Sequence, residues 1–552
     1  MIVKSDLSHK KVSIWVFIIL NIVACYLVYA PTLHIPFYHH DIYKFSNGGL
    51  GVSCEKEAGY AYLYDLGRPI SAWLDCANFK VANTVDNIIY ARLACVFLIG
   101  LTMGIVAFWL YSVAFSFWIA FLISGSIFYL PVLQTTMIMA ASNLILAILS
   151  AFLANLSVKK GAYFQLSNRF LGFSLFALGF LLLLGSLLTY PALSGFFLFP
   201  TLMTLLFSPL NRWREIKFKV IGRDVLVFCI GCLIYYFLVK HIQQVRNVNV
   251  AALMPGYRLH LNFNIIDRIY ALLTIFPKFW NIFSGTKQAI LGYLILISGL
   301  LAAFSNFSYK ESTSTAKQSL IQAMLATIGL LLLGSVVFIV MPESWAAYRI
   351  IFVFQAMSLA ILVWCVYQIC FLYQLKESTF IFLLCVIFGA GAILANYIVT
   401  KSALNDNLEL NFMTAEISHE IKESKTKISR IHVIVPSVAN FTELPAVDDI
   451  FNSTSANSGD ITNMVNTVLL RIAEPNSFQL TNCMFTLSDE EHHFQDEKKC
   501  IKAAPRGNVV VTYSWPNKPI FYTPNTITIK LDTLTPLVQH PKWDLKKMKF
   551  GS

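Results

Sequence analysis

The run VSIWVFIILNIVACYLVYA (Val12 to Ala30), followed at once by PTLHIPFYHHDIYKF (residues 31–45), decides how the rest of the chain is read. The first run carries no charge and is long enough to cross the ~30 Å hydrocarbon core of a bilayer as a helix. It lacks a small-residue cleavage site and exceeds a typical signal-peptide core, so it is expected to stay as a membrane helix. The polar stretch after it opens a loop, residues 32–87, that gathers Asp41, Glu55, Glu57, Asp65, Asp75 and Asp86 against Lys44, Lys56, Arg68 and Lys80. A bare connection between two helices needs only a few residues. The length, the carboxylates and the Tyr60-Ala-Tyr62-Leu-Tyr64 run make this loop the first place to look for chemistry.

Outward from there, apolar runs of membrane-crossing length recur as far as Tyr397. The 552 residues are 57% hydrophobic and 13% charged, where a soluble domain carries about 25% charged residues. The expectation is a polytopic α-helical membrane protein of about eleven spans: 12–31, 88–110, 112–130, 133–156, 170–189, 191–209, 224–240, 288–305, 320–341, 347–373 and 379–399. Basic linkers alternate along this series. Lys4, Lys10 and Lys11, then Lys159, Lys160 and Arg169, then Arg212 to Arg223, then Lys310 and Lys317 all fall on one side. The positive-inside rule makes that side cytoplasmic. The N-terminus is then inside, and the 32–87 loop, the 241–287 loop and everything after Asn396 lie outside. The net charge of +12 comes from the membrane part, since residues 401–552 hold 16 basic and 17 acidic side chains. Topology accounts for these positives, and no nucleic-acid partner is called for.

Seven of the eleven cysteines (25, 95, 229, 232, 365, 370, 385) lie in apolar runs, where a thiol behaves as a small hydrophobe. The others form two local pairs, Cys54 with Cys76 and Cys483 with Cys500, both on the side read as external. An oxidising compartment permits disulfides there, and their spacing is not a zinc pattern. After Lys401 the composition becomes that of a soluble domain. Helical periodicity runs through 408–428 and 461–472. Ile431–Val435, Asn508–Tyr513 and Thr526–Leu531 read as strands, and the whole is expected to be a small α+β domain, residues 401–552.

Two residues stand out for chemistry. Asp41 lies about ten residues past the first span, after His39-His40, close to the membrane surface, where a carboxylate can take a proton from a hydroxyl. Arg349, in Pro342-Glu-Ser-Trp345-Ala-Ala-Tyr-Arg349, opens an apolar span, and ionisable residues near the membrane are expensive and usually functional. Guanidinium holds phosphate bidentately; snorkelling to headgroups is the other reading. His492-His493 beside Glu490 and Glu491 reads as solvated surface, and Cys229-x-x-Cys232 as core. No glycine loop for nucleotide phosphates is found.

The Asp just past the first helix, the Gly67-Arg68-Pro69 element later in the same loop, and the Arg349 that begins a late span resemble the GT-C superfamily of membrane glycosyltransferases. Among these the chain is most similar to the serotype-converting O-antigen glucosyltransferases of bacteria. The resemblance covers the spans loosely and is specific only in the first loop. Where that family often has two adjacent acids, this chain has His40-Asp41, leaving Asp41 as the single base and an acid-pair metal site without support. The resemblance implies a polyprenyl-phosphate sugar donor, a lipid-linked or surface glycan acceptor, and work at the outer face of the inner membrane. Such a donor needs cations where leaving-group charge develops. The 241–287 loop offers Arg258 and Arg268, with Arg246, His260, Lys278 and Lys287 against only Asp267. Headgroup anchoring through Phe276, Phe279 and Trp280 is its alternative use. His40, Arg68 and Trp73 are placed as acceptor or loop support. The rivals are a transferase acting on lipid A or protein, and a transporter or flippase of lipid-linked sugars.

Overall fold

The computed structural model describes residues 12–36, 58–82, 87–113, 115–165, 167–207, 220–247, 293–303, 305, 314–336, 348–423, 430–437, 479–486, 508–514 and 526–531. Up to Val399 these are helices: α1 Ile14–His34, α2 Ala58–Asp65, α3 Pro69–Val81, α4 Ile88–Val113, α5 Phe117–Phe128, α6 Pro131–Met139, α7 Ser142–Phe164 and α8 Arg169–Thr189. They continue as α9 Pro191–Ser194, a 3-10 turn Gly195–Leu198, α10 Phe199–Phe207, α11 Gly222–Val245, α12 Tyr293–Ala303, α13 Ser314–Gly334, α14 Tyr348–Leu372 and α15 Glu377–Glu423.

The chain is a polytopic helical membrane protein. Among the described residues seven helices are long and apolar enough to cross a bilayer: α1, α4, α7, α8, α11, α14 from Ile351, and α15 as far as Thr400. An eighth span forms if α5 and α6, bent by 61° at their junction, count as one. Shorter apolar helices occupy Pro191–Phe207, Tyr293–Ala303 and Ile321–Gly334, where the sequence suggests full spans. The boundary expected at 133–156 differs for a physical reason. Ala140 adopts a left-handed conformation (φ 52°), which closes α6 and separates it from α7. Pro131, which lacks an N–H, begins α6 at a first-turn position where none is needed.

Lipid tails give helices no hydrophobic reason to associate, so close backbone approach through small residues does the packing. Gly100 and Gly104 of α4, a G-x-x-x-G pair, show this against α1. A Cβ on either would lie 2.5 Å from the Cα of Ile22 or Ile18 respectively. At the α7–α8 turn, Asn168 caps α8 by accepting from the Leu171 N–H at 3.1 Å. Aromatic rings fill the centre, with Phe196 stacked on Phe199 and packed against Phe128, Phe152 and Phe352.

Strands β1 Arg430–Ser437, β2 Gln479–Thr486, β3 Asn508–Ser514 and β4 Thr526–Leu531 make one sheet in the order β2-β1-β3-β4. β1 is parallel to both neighbours, with Ile434 opposite Cys483 and Val433 opposite Val511, and β3–β4 is antiparallel. Three of the four strands lie where the sequence pattern puts them; β2, Gln-Leu-Thr-Asn-Cys-Met-Phe-Thr, alternates too weakly to have been read. The expected helix at 461–472 is outside the described residues. The boundary expected at residue 400 falls inside α15, whose 47 residues run from an apolar half into a polar one, and the two compact units divide there, between Val399 and Thr400. The strands belong to a compact unit with 400–423 and 34–36, distinct from the helical unit.

Candidate functional site

The first loop folds locally as two helices around Gly67-Arg68-Pro69. Gly67 has φ +77°, the left-handed region that glycine enters without strain. The Gly67 N–H donates to the Tyr64 carbonyl and the Arg68 N–H to the Leu63 carbonyl, both at 3.0 Å. That is the pairing of a Schellman stop, which satisfies the last carbonyls of α2. Pro69 then starts α3, with its fixed φ already suited to a helix. Gly67 is also pressed on α11: a Cβ there would lie 2.5 Å from Val239 Cγ2, and the Tyr235 hydroxyl donates to the Gly67 carbonyl at 3.3 Å. The Gly-Arg element is therefore a helix stop and start docked on a membrane helix.

Behind that turn lies a buried polar cluster. Arg68 is buried, its guanidinium 4.3 Å from the centre of the Tyr190 ring. Asp75 is only 7% exposed and accepts from Asn143 Nδ2 at 3.1 Å; the same amide donates to Ser71 Oγ. Asn143 stands in the first turn of α7 and also receives the Leu144 N–H. Burial pushes the Asp75 carboxyl up to about 8, and Arg68 opposes that rise. The sequence places Asp75 simply among the acids of the first loop; the structure buries it. A carboxyl raised from 3.8 in this way contributes stability that is complete below about pH 4 and is lost as pH rises towards 8. Thermal midpoints of the solubilised protein should fall across that window. Asp75→Asn, which cannot ionise, should flatten the profile and gain on the parent as pH rises. Parallel profiles for the two proteins would show that Asp75 does not titrate against folding.

The same end of the helical unit holds further contacts. Asp65 Oδ1 meets Arg246 Nε at 2.8 Å, and the Arg246 guanidinium covers the Tyr64 ring at 4.9 Å, with Tyr60 stacked on Tyr64. Gln243 donates to the Asp65 carbonyl at 3.1 Å. Burial raises the Asp65 carboxyl and Arg246 opposes it. Close by in the chain, Arg92 is fully buried and donates to the carbonyls of Met137 and Ile138 at 3.3 Å and of Thr32 at 3.5 Å. Asn78 donates to the Ala140 carbonyl at 2.8 Å. The end of the bent α5–α6 pair is thus filled by side chains, as unpaired carbonyls within a bilayer must be.

No family model and no curated protein matches this chain. The site therefore rests on its own residues. Of those singled out in the sequence, Arg68 belongs to the buried cluster, while Trp73, two residues before Asp75, is 62% exposed on the other face of α3. Cys76 is buried and disulfide-bonded; Cys54, its expected partner, is outside the described residues, as is Cys500. Cys483 lies in β2. The seven span cysteines are free. Arg349 lies in the first turn of α14. His40, Asp41, Arg258 and Arg268 are outside the described residues.

Sequence reasoning passed over Asn143, Ser71, Arg92 and a second cluster. Asp224 has no exposure. Its Oδ2 accepts from Thr201 Oγ1 at 2.5 Å and Asn155 Nδ2 at 3.2 Å, with Lys159 Nζ at 3.9 Å. Its Oδ1 faces Arg223 Nε at 2.8 Å and Nη2 at 2.7 Å. The available signal was a carboxylate opening an apolar helix, with an Asn and a Thr inside two others.

Proposed function

We propose that this chain is a membrane glycosyltransferase that moves a hexose, glucose by its resemblance, from a polyprenyl phosphate to a glycan such as an O-antigen repeat. It would do so at the outer face of the bacterial inner membrane, with about eleven spans, a cytoplasmic N-terminus and a periplasmic α+β domain after residue 400. The acceptor hydroxyl attacks the anomeric carbon, its proton passes to Asp41, and the carbon–oxygen bond to phosphate breaks with inversion. Arg349 and Arg258 or Arg268 hold the departing polyprenyl phosphate, where guanidinium groups meet developing charge. His40 and Trp73 face the acceptor; Arg68 supports the loop from behind.

The observation that carries this reading is the Asp65–Arg246 pair. It joins Asp65 of the acid-bearing first loop to Arg246 at the end of α11, which supports a reading in which the acids of that loop and the cations of 241–287 work together. The bent α5–α6 pair favours a second reading, since transporters place substrate at broken helices. Arg92 and Asn78 already occupy the carbonyls at its end, which puts that reading second.

Purified protein given a radiolabelled polyprenyl-phosphate hexose and an O-antigen acceptor should transfer the sugar, and surface glycan from cells lacking the gene should lose one hexose by mass. Translocation of the lipid-linked sugar in vesicles without transfer would favour the transporter.

A further inference from the structure

Arg68 has its backbone fully paired and its side chain left over. Its N–H donates to the Leu63 carbonyl at 3.0 Å, and its carbonyl accepts from the Ala72 N–H at 2.9 Å. The residue is 7% exposed, yet among the described residues its guanidinium has no hydrogen-bond acceptor and no ion-pair partner. Asp75 is near enough to feel its charge, but Asn143 holds that carboxyl. Burial pushes the same carboxyl up to about 8, so at neutral pH it is mostly protonated and leaves the cation uncompensated. The other arginines at this end have their acceptors: Arg246 meets Asp65 at 2.8 Å, and Arg92 donates to three carbonyls. A buried cation with none is among the costliest arrangements a fold can hold. The guanidinium rests on the Tyr190 ring, 4.3 Å from its centre, which steadies it and leaves its in-plane N–H groups for other acceptors. The Tyr190 hydroxyl, on that same ring, is buried and also lacks a partner among the described residues.

We propose that Arg68 and Tyr190 form a binding site for the phosphate ester of a membrane lipid. The missing partner is an anion, since the site holds a whole uncompensated charge, and the guanidinium fork matches two phosphate oxygens. The Tyr190 hydroxyl supplies one more donor. The anion arrives on a lipid because the turn is docked against the apolar helix α11. Tyr235, which donates to the Gly67 carbonyl, lies ten residues before the end of that helix, about 15 Å along it. Arg68 thus binds a ligand in addition to supporting the loop. The site itself stands apart from the glycosyltransferase reading; only the identification of its lipid with the sugar donor rests on that reading.

The test uses the full-length protein in mixed micelles, with lipid affinity and thermal midpoint read together. Polyprenyl phosphate should bind saturably and raise the midpoint. Polyprenol, the same chain without the phosphate, and inorganic phosphate should do neither. Arg68→Gln should weaken the affinity about ten- to a hundredfold, the weight of hydrogen bonds to a charged group. Its midpoint without lipid should hold or rise, because an unpaired buried charge has gone. A merely structural arginine would give the reverse, a lower midpoint and an unchanged affinity. Should Arg68→Gln fail to accumulate, Arg68→Lys serves instead: it keeps the charge without the fork and should bind about tenfold more weakly. Phosphatidylglycerol as competitor identifies the source. Displacement only at large excess assigns the site to the donor lipid, displacement at parity to phospholipid headgroups, and either upholds it. Parental affinity in a folded Arg68→Gln or Arg68→Lys protein would overturn the site. A parent that binds polyprenyl phosphate through Arg68 yet transfers no sugar would remove the glycosyltransferase reading and leave the site standing.

Discussion

Asp224→Ala should cost about 3 kcal/mol of stability, at the lower end of the roughly 3–5 kcal/mol seen when one partner of a buried ion pair is removed. The reason is in the geometry. Asp224 has no contact with solvent and accepts from Thr201, Asn155 and Arg223, which come from or flank three helices, with Lys159 on its open side. Removing the carboxylate leaves the Thr201 hydroxyl and the Asn155 amide facing a void, and two cations facing each other's charge. The cost stays near the lower end because the side chains of Arg223 and Lys159 are each 22% exposed and can turn towards water. Asp224→Asn should cost less, since it keeps an acceptor for Thr201. Thermal unfolding in detergent, together with the amount of full-length protein in membranes, reads the effect. An unchanged midpoint for Asp224→Ala would mean that the network is incidental to the packing of α7, α10 and α11.

That network also marks where the sequence stops being legible. Apolar length announced the seven membrane-crossing helices among the described residues, because crossing hydrocarbon imposes a requirement that composition alone meets; it did not reveal the break at Ala140 or the shorter helices. The β-branched runs at Ile431–Val435, Asn508–Tyr513 and Thr526–Leu531 announced their strands in the same way. Partnerships across the bundle were not legible. Lys159 and Arg223 read as markers of a cytoplasmic side, which requires no particular contact, yet both meet Asp224. Asp75 counted among the acids of a long loop, and nothing in its neighbours signals burial; it is buried because α3 docks its Ser71–Asp75 side on the start of α7. Gly67-Arg68-Pro69 was noticed for its resemblance, while its local cause, a Schellman stop followed by a proline start, could have been read from the turn chemistry of Gly and Pro.

Asp41→Asn is expected to reduce transfer by about 10²-fold or more while the protein still inserts and binds donor lipid, because asparagine keeps the size and removes the proton acceptor. Arg349→Ala should act differently, weakening donor binding, the transition state or both. Lysine at 349 should rescue only in part, since it restores the charge without the bidentate fork. The other acids of the loop are not neutral comparators. Asp65→Asn loosens the ion pair with Arg246, and Asp75→Asn changes a buried group whose effect depends on pH. Each should therefore shift stability or its pH profile and leave transfer, per folded molecule, within a few-fold of the parent. Donor binding measured beside turnover separates the cases: Asp41→Asn should keep binding and lose turnover. A well-folded Asp41→Asn with parental turnover would remove Asp41 as the base. If Asp65→Asn were then the inactive variant, the chemistry would stay in this loop and move to the carboxylate that already faces Arg246.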